Sequence, residues 1–567
     1  MRRGLVVALV AAGALALPAA AFAHAALLRT VPQASGFVNR PPRQVELTYS
    51  EAVEPRFAIV SVTDAAAHQE TTGPPRRSPS DPDTLVVPLK HLGEGWYLVY
   101  WRVISVDGHP VRGAFTFAVG PNAGPAPQFV IPSISETAAT PKLLVFRWIV
   151  FLSVMGAIGL AALRLAVARP LVRRVAGTSL RPVTAAFAVA SAIALVAIPM
   201  YTLLATADFA LRSFFSWGAL IPLVRASAFG RGYLDLWLCF ALFTAAAAAA
   251  IAIDRPEREQ RSLAELLAGL GAGLAAAAVL LVPGLAGHAA QTSPRGLSVF
   301  FDWAHLVSGS IWVGGLAGLL VLVDTLPRPR RLEALAVVVP RFSNTAFVSV
   351  LVLLGSGTGA AIEHLPTLAS PWQTSYGKAL LAKIALLAGT LVFAAVNLLR
   401  TKPALARGTE GTATWLRVFV SGEVLLVGGA IFAAAILSSL APPSKALAHV
   451  GNAAAHVGPG NVTRSVQANG YTFDVNVSPN KAAVPNSFGV KITRNGSPVV
   501  GADVVLGFEM LDMEMGTQEY RLRETQPGVY EHAAPALVMV GHWGLSFDVT
   551  PRGQKEFNVL LVDKANG

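Results

Sequence analysis

The chain has 567 residues, of which 53% are hydrophobic and only 14% charged, and its formal net charge is +12. That is too apolar for an ordinary soluble chain, and the Arg residues fall between long apolar runs instead of clustering beside exposed aromatics, which excludes a nucleic-acid binder in favour of a membrane protein. The single cysteine, Cys239, excludes an intrachain disulfide and any site needing two thiolates, so a metal would have to be held by His, Met, carboxylates or an N-terminal amine.

Residues 1–23 read as an export signal. Arg2 and Arg3 are its basic start, Leu5 to Leu17 its apolar core, and Ala21-Phe22-Ala23 its small-x-small cleavage site. The core is shorter than the ~20 residues of a membrane span, and cleavage would leave His24 as the new N-terminus. Residues 24–120 then carry strand character at 45–49, 57–62, 95–103 and 113–119, separated by Pro and Gly clusters. Short strands at this spacing predict a β sandwich or barrel. Residues 121–141, rich in Pro, Ala and Gly, read as a linker.

Between 142 and 441 there are eight apolar stretches long enough to span a bilayer, near 144–168, 183–206, 232–253, 264–286, 299–323, 343–364, 377–399 and 416–440. If export places residue 24 outside, the odd-numbered connections are cytoplasmic. These hold Arg169, Arg173, Arg174 and Arg181; Arg255, Arg258 and Arg261; Arg328, Arg330, Arg331 and Arg341; and Arg400, Lys402 and Arg407. The intervening loops are poorer in Lys and Arg, as the positive-inside rule requires, and an even number of spans returns the C-terminus to the outside. After a second linker at 442–465, residues 466–567 alternate again at 471–477, 488–492, 504–508 and 545–549, which predicts a second small external β domain.

Three groups of residues have metal-binding chemistry. The sharpest is His24 with Asp107-Gly108-His109. A free N-terminal His offers its amine and an imidazole nitrogen to one ion, and Asp107 and His109, two apart, face the same side of an extended chain. Three nitrogens and one oxygen suit tetragonal Cu(II) better than Zn(II) or Mg(II). The same tripeptide also reads as a plain turn, and a terminal His as incidental. Residues 24–120 hold no Met, so a thioether Cu(I) site is not expected there. Inside the spans lie His305, Lys383 and Glu423, with Met155 and Met200 as soft donors, while His288 and Glu363-His364 stand near outer ends. Polar groups at membrane depth are functional candidates, although Met usually packs, Lys383 can snorkel, and His288 and His364 can decorate the surface. His305 differs from these because the small residues of 303–315 would let helices close around it. The third group is Met510, Met513, Met515, Met539 and His542, four of the seven Met in the chain beside one His. Thioethers with one imidazole favour Cu(I), and the same residues would also fill a small sandwich core.

His24-Ala25 after an export signal, Leu47-Thr48-Tyr49-Ser50-Glu51, and the run from Tyr100-Trp101-Arg102 through Asp107-Gly108-His109 to Arg112-Gly113 resemble the CopC copper-resistance family over nearly all of 24–120. The resemblance implies an immunoglobulin-like β sandwich that binds one Cu(II) through His24, Asp107 and His109. Glu51 stands where some members carry a carboxylate beside the site, and the Met-rich Cu(I) segment of some members is absent. Gly287-His288-Ala289, the segment around His305, Arg341-Phe342-Ser343 and the run from Tyr376-Gly377-Lys378 through Lys383 to Asn397 resemble the CopD family over about 142–441. That resemblance implies copper movement across the inner membrane, commonly inward. Gly528-Val529-Tyr530 and Met539 to Trp543 resemble YtkA-like or FixH-like β domains.

The whole chain thus resembles a YcnJ-like CopC–CopD fusion with a YtkA-like C-terminal domain. The expected fold is an N-terminal immunoglobulin-like β sandwich, an eight-helix transmembrane domain and a small C-terminal β sandwich. The expected function is capture of copper outside the cytoplasmic membrane and its inward transport, through a path drawn from His288, His305, Lys383, Met155 and Met200. The alternative is a copper-sequestering resistance protein anchored by its helices. A haem oxidoreductase is disfavoured, because few His lie deep in spans and none forms a facing pair, and no enzymatic activity is expected. The expected partners are copper ions, the bilayer and external copper chaperones. Tethering the capture domain to the membrane path would raise the local copper concentration at its entrance.

Overall fold

The computed structural model describes residues 27–32, 37–49, 52–104, 110–121, 140–287, 289, 294–365, 370–440, 453–482, 485–511, 518–534, 536–537 and 540–566. They form two compact units, one of helices and one holding both β domains.

The N-terminal domain has eight described strands: β1 Leu27–Val31, β2 Phe37–Val38, β3 Gln44–Tyr49, β4 Ile59–Asp64, β5 Arg76–Arg77, β6 Thr84–Pro88, β7 Gly95–Ile104 and β8 Pro110–Val119. They pair as two sheets, β1-β3-β6-β5 and β2-β8-β7-β4. Alternate residues point inward, so Val45, Leu47 and Tyr49 of one sheet meet Val99, Trp101, Phe115 and Phe117 of the other in a single core. The Tyr49 and Trp101 rings meet edge-on across that core, 5.6 Å apart. Gly113, paired with Trp101 in register, is required by this packing: a Cβ there would come within 2.8 Å of the indole.

Eight described helices are long and apolar enough to cross a membrane. They are α1 Pro141–Arg174, α2 Arg181–Phe209, α3 Ala228–Ile253, α4 Leu263–Ala286, α5 Arg295–Thr325, α6 Arg328–His364, α7 Ser375–Ala406 and α8 Thr412–Leu437. Helix α1 packs along α2 and α5, α3 packs along α4, and α8 packs on α1 and α5. The α1–α5 crossing is set by glycine. A Cβ on Gly159 would lie 2.1 Å from the Ser310 carbonyl oxygen, and one on Gly314 would lie 2.5 Å from the Gly159 Cα. Lipid offers no hydrophobic drive between helices, so close backbone contact of this kind is what holds them. Helix α6 starts at Arg328, well before the apolar run at 343, because 331–341 is helical although it is charged. A further short helix, Trp217–Ala226, lies between α2 and α3.

The Arg-rich connections meet at one end of the bundle. Arg164 and Arg169 from the α1 end both reach the Asp254 carboxylate after α3, at 2.6 and 3.0 Å, and Arg169 also reaches Glu265 of α4 at 3.5 Å. Arg173 pairs with Glu259, and Arg417 of α8 pairs with Asp324 of α5 at 2.7 Å. At the other end Arg147 of α1 donates to the Tyr201 hydroxyl of α2 at 2.8 Å and to the Ser438 carbonyl at 2.9 Å. That contact also serves a carbonyl left open where α8 ends.

The C-terminal domain has the strands β9 Ala455–Val457, β10 Val462–Ala468, β11 Tyr471–Ser478, β12 Asn486–Arg494, β13 Ser497–Pro498, β14 Asp503–Met510, β15 Gln518–Arg521, β16 Arg523–Gln526, β17 Val529–Ala534, β18 Gly541–Thr550 and β19 Phe557–Ala565. One sheet runs β10-β11-β12-β17-β16 with β13 on β12, and the other runs β15-β14-β18-β19-β9. Phe473, Val475, Phe488 and Val490 of the first face Leu506, Phe508, Leu545 and Phe547 of the second. This core continues into the N-terminal domain. Leu98 and Ala114, on the outer face of the β7–β8 hairpin, are buried within it, and Trp96 and Tyr100 pack against it. Strand β7 is therefore apolar on both faces, with Tyr97, Val99, Trp101 and Val103 turned into its own sandwich.

Candidate functional site

His24, Glu51, Asp107 and His109 lie outside the described residues, but the strands that lead to them are described. Leu27, three residues after His24, pairs with Tyr49, two residues before Glu51. Tyr49 packs on Trp101, and the hairpin carrying Trp101 ends in the pair Ile104–Pro110, which brackets Asp107 and His109. Three stretches far apart in sequence thus lead out of neighbouring strand ends. The Tyr49 hydroxyl is buried without a hydrogen-bond partner among the described residues, and burial pushes its pKa well above the usual phenol value.

In the helical unit, α5, α6 and α7 bring His305 and Lys383 together, and add Ser356. The His305 Nε2 lies 3.4 Å from the Lys383 Nζ, and its Nδ1 lies 3.4 Å from the Ser356 Oγ. The Ser356 hydroxyl donates to the Val352 carbonyl at 2.7 Å. With its one proton so used it accepts from the ring, which puts the imidazole proton on Nδ1 and leaves the Nε2 lone pair to face the Lys383 amine. Gly357 makes room for the ring, since a Cβ there would come within 3.1 Å of its Cε1. One turn along α5 from His305, Gly309 receives the Met155 methyl of α1, 3.0 Å from the place a Cβ would take. The thioether therefore packs on the His305 face of α5. Asp302 stands one turn the other way on α5. Met200 is partly buried on α2, and His288 lies outside the described residues.

Ser356 and Asp302 were missed by the sequence reading. The run Gly355-Ser356-Gly357-Thr358-Gly359 on α6 was the available signal, because only small residues admit a ring from a neighbouring helix. Near the opposite end of the bundle, Glu423 of α8 is buried and accepts a 2.6 Å hydrogen bond from the Asn397 amide, at the start of a π-helical turn in α7.

In the C-terminal domain Met510 is buried in the core, opposite Trp543 in register. His542 is adjacent to Trp543 on β18 and so faces the other side of the sheet. Met513, Met515 and Met539 lie outside the described residues.

Comparison with known proteins follows this three-part layout. Residues 27–120 match the CopC domain, residues 336–437 match Copper resistance protein D, and residues 465–548 match the YtkA-like family. The chain is 25% identical over 559 residues, 96% of each protein, to the copper transport protein CutJ of Bacillus subtilis. Its N-terminal part is 38% identical over 99 residues to protein YobA of Escherichia coli, covering 17% of this chain and 80% of YobA. It is also 34% identical over 119 residues to copper resistance protein C of Pseudomonas syringae pv. tomato, covering 20% of this chain and 93% of that protein. With an N-terminal β sandwich, eight apolar helices and a C-terminal β domain in this order, the chain belongs to the CopC–CopD fusion copper proteins and carries a YtkA-like domain as its third part.

Proposed function

We propose that this protein captures copper on the outer side of the cytoplasmic membrane and moves it inward through the helical unit. The observation that carries the reading is a partly buried imidazole, His305, set at membrane depth among polar groups from three helices, in a chain whose N-terminal domain belongs to a copper-binding family. Cu(II) is held first by the His24 amine and imidazole, Asp107 and His109. Inside the bundle, His305 and the Met155 thioether are the donors, a set that suits the softer Cu(I).

Charge supports this orientation. The Arg-rich connections gather at one end of the bundle, which is the cytoplasmic end by the positive-inside rule. His305 and Lys383 then lie toward the outer end of the bundle, and Glu423 with Asn397 lies toward the cytoplasm. The protein acts by binding and moving copper, with no bond chemistry of its own.

Cellular copper tests the reading. Expression in cells lacking the protein raises copper content, and His305→Ala cuts that gain at least about tenfold, the expected cost of removing a ligand when even outer partners cost ~10–100-fold. Unchanged or lower copper with better survival would instead favour sequestration, with the helices as an anchor.

A further inference from the structure

The position of Lys383 conflicts with copper on His305. Its ammonium stands 3.4 Å from the Nε2 lone pair, which is the free donor of that ring. A metal bonded to an imidazole nitrogen sits about 2 Å from it, so copper and the ammonium cannot share that lone pair. Lysine is also a poor partner for a cation that must pass close by, since both are positive. Either the site never takes copper, or the lysine has a second place to go.

The structure offers such a place. Asp302 lies one turn from His305 on α5, the helix that the Lys383 head meets. Gly284 of α4 leaves space for the Asp302 carboxylate, whose Oδ2 is 3.2 Å from where a Cβ would stand. A lysine head on a flexible four-carbon stem can move between neighbours on adjacent turns of a facing helix.

We infer that Lys383 is a tethered stand-in cation: it occupies the copper position on His305 while the path is empty and swings to Asp302 when copper binds. This rests on the transport reading of the His305 site. The charge of Lys383 does not change in the exchange, and only its position does. An empty imidazole at membrane depth would be open to any soft or hydrated cation. With the ammonium in place, an ion must bind His305 well enough to displace it, which favours copper over weaker ligands of imidazole and thioether.

The test uses the purified full-length protein in lipid nanodiscs with Ag(I), a redox-inert soft monovalent ion, as the probe. All variants share the same outer domains, so differences between them belong to the helical unit. Lys383→Leu removes the charge and adds no soft donor. It is expected to bind one Ag(I) at least tenfold tighter, and Lys383→Leu with His305→Ala is expected to lose that gain. Asp302→Asn removes the parking place and is expected to weaken the same binding severalfold. Weaker or unchanged Ag(I) binding in Lys383→Leu overturns the inference. If Lys383→Leu does not fold, Lys383→Gln is read in the same way. The transport reading fails separately: copper content in cells that His305→Ala leaves unchanged rejects it, whatever Ag(I) binding shows.

Discussion

The imidazole of His305 is positioned by what its neighbours lack. Gly357 admits the ring and Gly309 admits the Met155 methyl on the same face of α5. As individual residues, His305, Lys383 and Met155 were legible in the sequence, because ionisable or soft groups stand out in an apolar span. That His305 meets Lys383, 78 positions away, was not legible. Neither was the contribution of Ser356, which looks like any small residue until a ring lies beside it. At the outer site the sequence makes a sharper prediction. If the proposed Cu(II) site is right, His24→Ala, or one residue added before His24, destroys the amine–imidazole chelate. Cu(II) affinity of the N-terminal domain should fall by more than ~10–100-fold, the cost of losing an outer partner, as read by Cu(II) titration. A second residue-scale prediction concerns Asp563, which is fully buried. Its Oδ1 accepts from the Asn480 amide at 2.9 Å, and its Oδ2 has no partner among the described residues. Burial pushes the carboxyl up to about 6, against the opposing hydrogen bonds from Asn480 and the Lys564 N–H and the field of His542. The unfolded chain ionises near pH ~4. The domain should therefore be most stable below that value and lose roughly 3 kcal/mol as pH rises to about 6, with little further change above it. Denaturant melts of the C-terminal domain from pH 4 to 7 should show this loss, and Asp563→Asn should flatten it.

Elements were more legible than sites. Each of the eight apolar runs became a helix with ends within a few residues of the run, because hydrophobic length is the dominant constraint in a bilayer. The exception is α6, where Arg331, Glu333 and Arg341 disguised a helical start as a loop. Apolar length says nothing about which helices touch. That depended on paired small residues, and Gly159 with Gly314 is the clearest case. Gly159→Leu would drive a side chain into the Ser310 carbonyl and force α1 from α5. Strain of this kind costs more than the ~1–3 kcal/mol of ordinary overpacking. The purified variant should melt well below the wild type in detergent, whereas Gly156→Ala, which meets nothing within 4 Å, should melt near it. Strands read at 95–103 and 471–477 fall within a residue of β7 and β11, since alternation there is strict. The short or polar strands β5, β15 and β16 carry no such pattern and were found only by pairing.

At the scale of the whole molecule the unexpected feature is the contact between the two β domains. Leu98 is 4% exposed and Ala114 is 3% exposed, although both point away from their own sandwich. Leu98→Arg would bury a charge there at a cost of roughly 2 kcal/mol or more. Hydrogen exchange on the full-length protein should then show faster exchange along β7 and in the C-terminal domain, while the N-terminal core around Trp101 stays protected. Equal protection in the variant would mean that the contact contributes nothing.

The sequence by itself determined three parts in order, a β sandwich, eight spans and a second β domain, because hydrophobic periodicity and bilayer length are local properties of the chain. It also named His24, Asp107 and His109 as candidate copper ligands and His305 as a functional candidate, from side-chain chemistry together with family resemblance. Tertiary structure decided which residues meet: Leu27 with Tyr49, Lys383 on the His305 lone pair, Gly159 against Gly314, and Leu98 in a core that belongs mostly to another domain. These are contacts between segments tens to hundreds of residues apart, and no local pattern encodes a partner at that distance.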